Sequence, residues 1–157
     1  MSLEKARKHL QKYQLDGRIH LTEESSATVE LAAKAVGVEP GRIAKTLSFF
    51  VKGEPILVLA EGTARIDNRK YKDTFQAKAV MIPPDQVEEL VGHAPGGVCP
   101  FGVNEGVKVY LDESLKKYET VFPAAGTGNS DIELTIPELE ACSESLGWVN
   151  VCKCPAL

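Results

Sequence analysis

The chain has no C-x-x-C pair, and its three histidines, His9, His20 and His93, lie far apart. Structural zinc sites draw their ligands from closely spaced pairs, so none is expected. There is no G-x-S-x-G elbow, no P-loop and no H-E-x-x-H. That removes the common sequence-local nucleophile, phosphate cradle and metalloprotease helix. Gly126-Thr127-Gly128 matches part of a dinucleotide fingerprint, but no strand–helix–strand unit surrounds it. Neither a metal nor an organic cofactor is expected. Basic residues are outnumbered, 18 against 22 acidic ones, giving a formal net charge of −4. A surface that coats nucleic acid needs a basic stripe, so DNA is not an expected partner. The charge leaves room for a small contact with one end of a nucleic acid.

Long apolar runs are also missing. The longest is Ile56-Leu57-Val58-Leu59-Ala60, far short of a bilayer span. Met1 to Lys8 has no apolar stretch, so no secretory signal is read and a cytoplasmic protein without membrane contact is expected. No repeat, low-complexity tract or linker divides the 157 residues, which predicts one domain over 1–157. Of the four cysteines, Cys142 reads as a small buried hydrophobe on a helix face. Cys152 and Cys154 are expected at a frayed C-terminus, reduced.

What is present is a mixture of helical and strand patterns. Leu3, Ala6, Leu10 and Tyr13 make an amphipathic first helix, with Ser2 as its cap. Residues 18–21 suggest a short strand. Val29, Ala32, Ala33 and Val36 mark a second helix, opened by Ser26 or Thr28 and closed by Gly37. Residues 46–51 and 56–60, joined by Lys52-Gly53-Glu54-Pro55, read as a β-hairpin near the centre of a sheet. The second of these strands does not alternate, so both its faces should be covered. Residues 67–75 permit a helix and 79–82 a strand. Asp85 and Glu88 have capping-box spacing before a helix that Gly92 ends. Strands are expected at 107–111, 120–122, 132–134 and 148–152. Thr135 and Glu138 open a last helix with Leu139, Cys142 and Leu146 inward. Helices at both ends and in the middle, with short strands between, indicate an α+β fold.

The segment His93-Ala94-Pro95-Gly96-Gly97-Val98-Cys99-Pro100-Phe101-Gly102 is a shaped loop. Its glycines allow close backbone approach and its prolines stiffen it. Such a loop can aim bare N–H groups at a developing oxyanion, or it can be an ordinary connector. Lys45, where a turn meets an apolar strand, could hold a phosphate or ribose oxygen, or be a solvated surface charge. His93 reads either as a base or donor beside the loop, or as a helix-end histidine on open carbonyls. Cys99 has no sequence-local activating partner and reads as loop filler or pocket wall. A second small-residue loop runs from Ala124 to Ser130.

These segments, in this order, resemble one family. Arg42-Ile43-Ala44-Lys45-Thr46-Leu47, Gly96-Gly97-Val98-Cys99-Pro100, and the Gly126 loop followed by Ile132-Glu133-Leu134 carry the likeness. Ser25 to Glu30 and Arg65 to Lys70 extend it, so that it runs from about Ser25 to Lys153. The family is YbaK/EbsC, the prolyl-tRNA-synthetase-associated editing domain. The resemblance implies a mixed, barrel-like β-sheet flanked by helices. It implies hydrolysis, in trans, of the ester joining a wrong amino acid to a tRNA 3′ end, with tRNA-Pro as one candidate. Lys45 and Gly97 would be the catalytic positions. Ser26, Thr28, His93, Gly96, Val98, Cys99, Pro100, Gly126 and Asn129 would bind substrate. No protein nucleophile is needed, because the terminal ribose hydroxyl would help to activate a water. The partner would be the acceptor end of a mischarged tRNA, with an aminoacyl-tRNA synthetase or an elongation factor as further candidates.

The late loop departs from the Cys-tRNA(Pro) deacylase branch. It lacks basic residues and has Ala124 where that branch tends to carry serine. Two other readings stand beside it: a non-catalytic module that uses the same cleft for a tRNA end or nucleotide, and a regulatory partner protein that binds another protein without ester hydrolysis. Hydrolysis of mischarged tRNA separates both from an enzyme.

Overall fold

The computed structural model describes residues 2–23, 25 and 28–154. Helix α1 (Ser2–Gln11) buries Ala6 and Leu10. A 3-10 turn over Asp16–Arg18 takes the start of the expected strand, leaving β1 as His20–Leu21. Helix α2 (Val29–Val36) opens at Thr28, whose hydroxyl accepts the Leu31 N–H, and closes at left-handed Gly37. Strands β2 (Ile43–Val51) and β3 (Glu54–Glu61) are joined by Lys52-Gly53 alone. Both turn residues have positive φ, 52° and 83°, as the twist of a two-residue hairpin requires. Next come β4 (Arg65–Ile66), α3 (Asn68–Phe75) capped by Asp67, and β5 (Val80–Met81).

Helix α4 (Pro84–Val91) departs from expectation. Asp85 does not cap it; Pro84 occupies its first turn and Pro83 the cap position. The fixed φ of proline presets that start without a side-chain bond. Strands β6 (Lys108–Asp112), β7 (Thr120–Pro123), β8 (Ser130–Asp131) and β9 (Leu134–Thr135) follow. Ile132 and Glu133, expected within a strand, lie between β8 and β9. Helix α5 (Ile136–Cys142) has the full Thr135–Glu138 capping box. It stops at Cys142, so Leu146 lies beyond it and is exposed. The expected last strand divides into β10 (Trp148–Val149) and β11 (Cys152–Lys153). The buried Asp112 carboxylate accepts the Val151 N–H at 2.9 Å at that break. Cys152 is therefore buried rather than frayed, while Cys154 is exposed.

The main sheet runs β10-β6-β3-β2-β7-β9, mixed in direction, with β3 and β2 central. β3 is sealed on both faces: Leu57, Val58, Leu59 and Ala60 are each 0% exposed. Leu57 and Leu59 face one apolar cluster with Leu111, Val121 and Leu139. Val58 and Ala60 face the other, with Phe49 and Tyr71. Burial of each large side chain stabilises the fold by ~1.5–3 kcal/mol before entropy is counted. This is why the run lacks alternation.

One edge of β2 is shared by two partners. β7 pairs with Ile43 and Ala44, and β5 pairs with Phe49 and Phe50. Between them no described strand pairs with Lys45, Thr46 or Leu47 on that side. The sheet curls open there.

Candidate functional site

A cleft of about 260 Å³ lies along this open edge of β2. Thr28, Val29 and Ala32 of the α2 region line it, as do Ile43 to Thr46 and Ser48 of β2. Pro95, Gly96 and Val98 bring the glycine–proline loop to it, and Ala124, Ser130 and Asp131 bring the second loop. Lys45 and Thr46, adjacent on a strand, point to opposite faces, yet both line the cleft. The cleft therefore wraps around the strand edge.

The charges in it are sparse. Lys45 is half-buried, and its ammonium donates to the carbonyls of Gly62 (3.3 Å) and Ala64. Burial pulls its pKa below the usual 10.5, with Glu61 and Cys152 opposing. Asp131 is 5% exposed, and burial pushes its carboxyl above the ordinary 3.8. Its Oδ2 lies 3.5 Å from Nδ1 of the exposed His20, which opposes that rise. The pairing follows from strand register, since β1 and β8 align His20 with Asp131. The Thr46 hydroxyl is buried in the cleft wall and has no hydrogen-bond partner among the described residues. The site thus places a cation, an anion and stiff loop backbone around a small space. That set can hold a ligand with an ammonium group at one end and an anionic or polar oxygen at the other, and among the described cleft residues there is no activated nucleophile.

Of the residues singled out in the sequence, Lys45, Thr28, Gly96 and Val98 line the cleft. Thr28 uses its hydroxyl to cap α2. Ser26 lies outside the described residues. Gly97 does not line the cleft but packs its Cα on the Gly126 backbone, tying the two loops together. Positive φ in this pair belongs to Gly96, at 92°. Gly126, also at positive φ, packs in turn against Ser2 of α1. Asn129 braces its own loop: its Oδ1 accepts from Thr127 Oγ1 and its Nδ2 donates to the Thr22 carbonyl.

His93 and Cys99 sit behind the loop, each 0% exposed. The His93 ring lies 2.6 Å from the Phe101 carbonyl, through Nε2, and so joins the two ends of the loop. It does pair with a carbonyl, but with one of the loop rather than of its own helix. Burial lowers its pKa, which keeps the ring neutral. Cys99 Sγ lies 3.6 Å from the same nitrogen, and burial pushes its thiol up to about 12. A thiol held so far above neutrality is no nucleophile. Pro100 faces a different groove, beside α1.

Asp131, Thr46 and Ser48 were not singled out in the sequence. The available signal for Asp131 was an acidic residue directly after a loop of small residues. Ser130 shapes that loop: its hydroxyl accepts the N–H of Thr127 at 3.1 Å and of Ala125 at 3.3 Å. Among the described residues no cluster of His, Cys, Asp and Glu could hold a metal ion. No helix there is long and apolar enough to cross a membrane.

Known proteins are similar to this chain. YwhH of Bacillus subtilis, a protein of uncharacterised function, is 50% identical over 154 residues, covering 98% of both chains. EbsC of Enterococcus faecalis, named as a candidate Cys-tRNA(Pro)/Cys-tRNA(Cys) deacylase, is 30% identical over 71% of this chain and 69% of its own. A crystal structure described as a candidate trans-editing enzyme for prolyl-tRNA synthetase superposes with a TM-score of 0.86. It is 31% identical, and 97% of each chain is covered. The model of the aminoacyl-tRNA editing domain matches residues 23–142, which span the open edge of β2 and both loops. The chain belongs to the aminoacyl-tRNA editing domain family, with its mixed α+β fold of a curled sheet flanked by helices.

Proposed function

We propose that this protein hydrolyses, in trans, the ester of a mischarged tRNA, and that the cleft on the open edge of β2 is where it does so. The observation that carries this reading is the cleft itself: a small space bounded by Lys45 and Asp131, with stiff loop backbone between. A volume of about 260 Å³ suits a small aminoacyl group, since drug-sized ligands need ~300–1,000 Å³. The Asp131 carboxylate suits the α-ammonium of an aminoacyl ester. The Lys45 ammonium suits a phosphate or ribose oxygen of the terminal nucleotide. N–H groups of the glycine–proline loop suit the oxyanion that forms when water attacks the ester carbonyl. The attacking water would be activated by the neighbouring ribose hydroxyl, as the family resemblance implies. Cys99 takes no part.

A separate hydrolytic site makes physical sense. One methylene gives a synthetase only ~1–3 kcal/mol of discrimination, so near-cognate amino acids need a second sieve. tRNA-Pro is the first substrate to try, because of the names of EbsC and of the trans-editing structure. Ala124 at the cleft wall replaces a hydroxyl with a methyl, which favours a small apolar side chain over cysteine. The test is a panel of tRNAs mischarged with alanine, serine, cysteine and other small amino acids. Turnover of at least one, above the spontaneous rate, is expected. Binding of the tRNA end with no hydrolysis across the panel would make the protein a binding module instead.

A further inference from the structure

A second groove lies apart from the cleft. It lies beside α1, has a volume of about 660 Å³, and shares Pro100 with the glycine–proline loop. Lys5, Lys8 and Lys12 line it. Lys5 and Lys8, three residues apart, share one face of α1, and Lys12 follows just past the end of the helix. Among the described residues Lys8 forms no ion pair, Lys5 makes one long contact to the Gly92 carbonyl at 3.4 Å, and Lys12 pairs with Glu144 at 3.0 Å. Glu144 also accepts from the Tyr13 hydroxyl, and the His9 ring contacts the Cys142 carbonyl. Three lysines against one carboxylate leave the groove net positive in a chain of charge −4.

We infer that this groove binds the phosphodiester backbone of the tRNA acceptor stem, beyond the terminal nucleotide held in the cleft. The inference rests on the function proposed above. Helix α1 begins against both loops of the cleft: Ser2 and Leu3 meet Gly126, and the Lys5 backbone meets Gly102. An RNA whose end enters the cleft would leave it past these loops, where the lysine row starts. An acidic chain repels a polyanion at long range, so attraction must be concentrated in such a strip.

The test is the affinity for uncharged tRNA, measured by fluorescence anisotropy across a salt series. Three forms are compared: the wild type, Lys5→Ala/Lys8→Ala/Lys12→Ala, and a control of equal charge change, Lys52→Ala/Lys72→Ala/Lys78→Ala. The groove variant is expected to bind ~30-fold more weakly at ~0.1 M salt. Its salt slope should shrink by about 1 per lysine lost. The control should stay within about threefold of the wild type. The wild-type preference for an aminoacylated stem over an aminoacylated CCA trinucleotide should shrink in the groove variant. Unchanged affinity, or equal losses in both triple variants, overturns the proposal. Hydrolysis by a wild type whose groove variant binds normally removes the groove and leaves editing. The expected binding pattern without any hydrolysis removes editing and leaves the groove.

Discussion

Gly97 stands directly on Gly126: a Cβ built on Gly97 would come within 2.6 Å of the Gly126 carbonyl carbon and oxygen. The two cleft loops touch here through bare backbone. Gly97→Ala must therefore push them apart. A displacement of about 1 Å can cost on the order of 100-fold where catalysis depends on position. We expect a deacylation loss of 10-fold or more, with a destabilisation of ~1–3 kcal/mol from overpacking. Paired rate and melting measurements check this. Wild-type turnover in the folded variant would mean that loop spacing is irrelevant to the site.

Lys45→Ala should lose most activity. Loss of one charged hydrogen bond to the substrate costs ~1.5–3 kcal/mol, roughly 10- to 150-fold in rate. The ammonium must be protonated to act, and burial lowers its pKa. The wild-type rate, corrected for spontaneous ester hydrolysis, should fall on the alkaline side at a pH below the usual 10.5 of lysine. A pH profile without that limb, together with full turnover by Lys45→Ala, would remove Lys45 from the mechanism.

Asp131→Asn tests the proposed contact to the α-ammonium. Asp131 must be ionised to make it, and its pKa lies above 3.8. The wild-type rate should drop as the pH falls through that raised value, and the acid limb should vanish in Asp131→Asn. The variant should show a KM higher by ~10-fold or more, as expected for a lost charged partner. An N-acetylated aminoacyl ester, which lacks the ammonium, should discriminate little between the two proteins. Equal KM values for the free-amine substrate would sink the assignment.

Cys99→Ser should keep substantial activity. The thiol is fully buried and held near 12, so it is no thiolate at neutral pH. Iodoacetamide should label the exposed Cys154 well before Cys99 in the folded protein. An aminoacyl adduct trapped on Cys99 would replace the water mechanism with a thioester one.

Glu138 sets an acid limit on stability. Its carboxylate accepts from Arg18 at 2.7 Å and from the Thr135 N–H at 3.0 Å, which lowers its pKa to about 2. A carboxyl whose folded pKa is depressed favours the fold when ionised. Its contribution is complete above the ordinary 4.5 and is lost as the pH falls toward about 2. The melting temperature should fall over that window, and less steeply in Glu138→Gln. Identical slopes would show that the pair contributes nothing.

Much was legible in the chain because local rules decided it. The Lys52-Gly53 hairpin, the Thr28 and Thr135 caps and the Gly37 and Gly92 helix ends depend on residues within a few positions of each other. So did the both-faces burial of β3, which its unbroken apolar run announces. The ordered motifs carried the family. Legibility failed where a nearby competitor or a distant partner intervened. Pro84 displaced the Asp85 cap, and Asp112 divided the last strand by accepting the Val151 N–H.

The sequence by itself determined the helices, the central hairpin, the stiff glycine–proline loop and the absence of a metal-ligand pattern, since each is written in contiguous residues. Only the tertiary structure decided what shares the cleft. Register between β1 and β8 brought His20 to Asp131, 111 residues away. The divided edge of β2 opened the cleft around Lys45, and the packing of the loop turned His93 and Cys99 inward. Period-2 alternation says that a residue changes face, but only sheet pairing says which face meets a cavity.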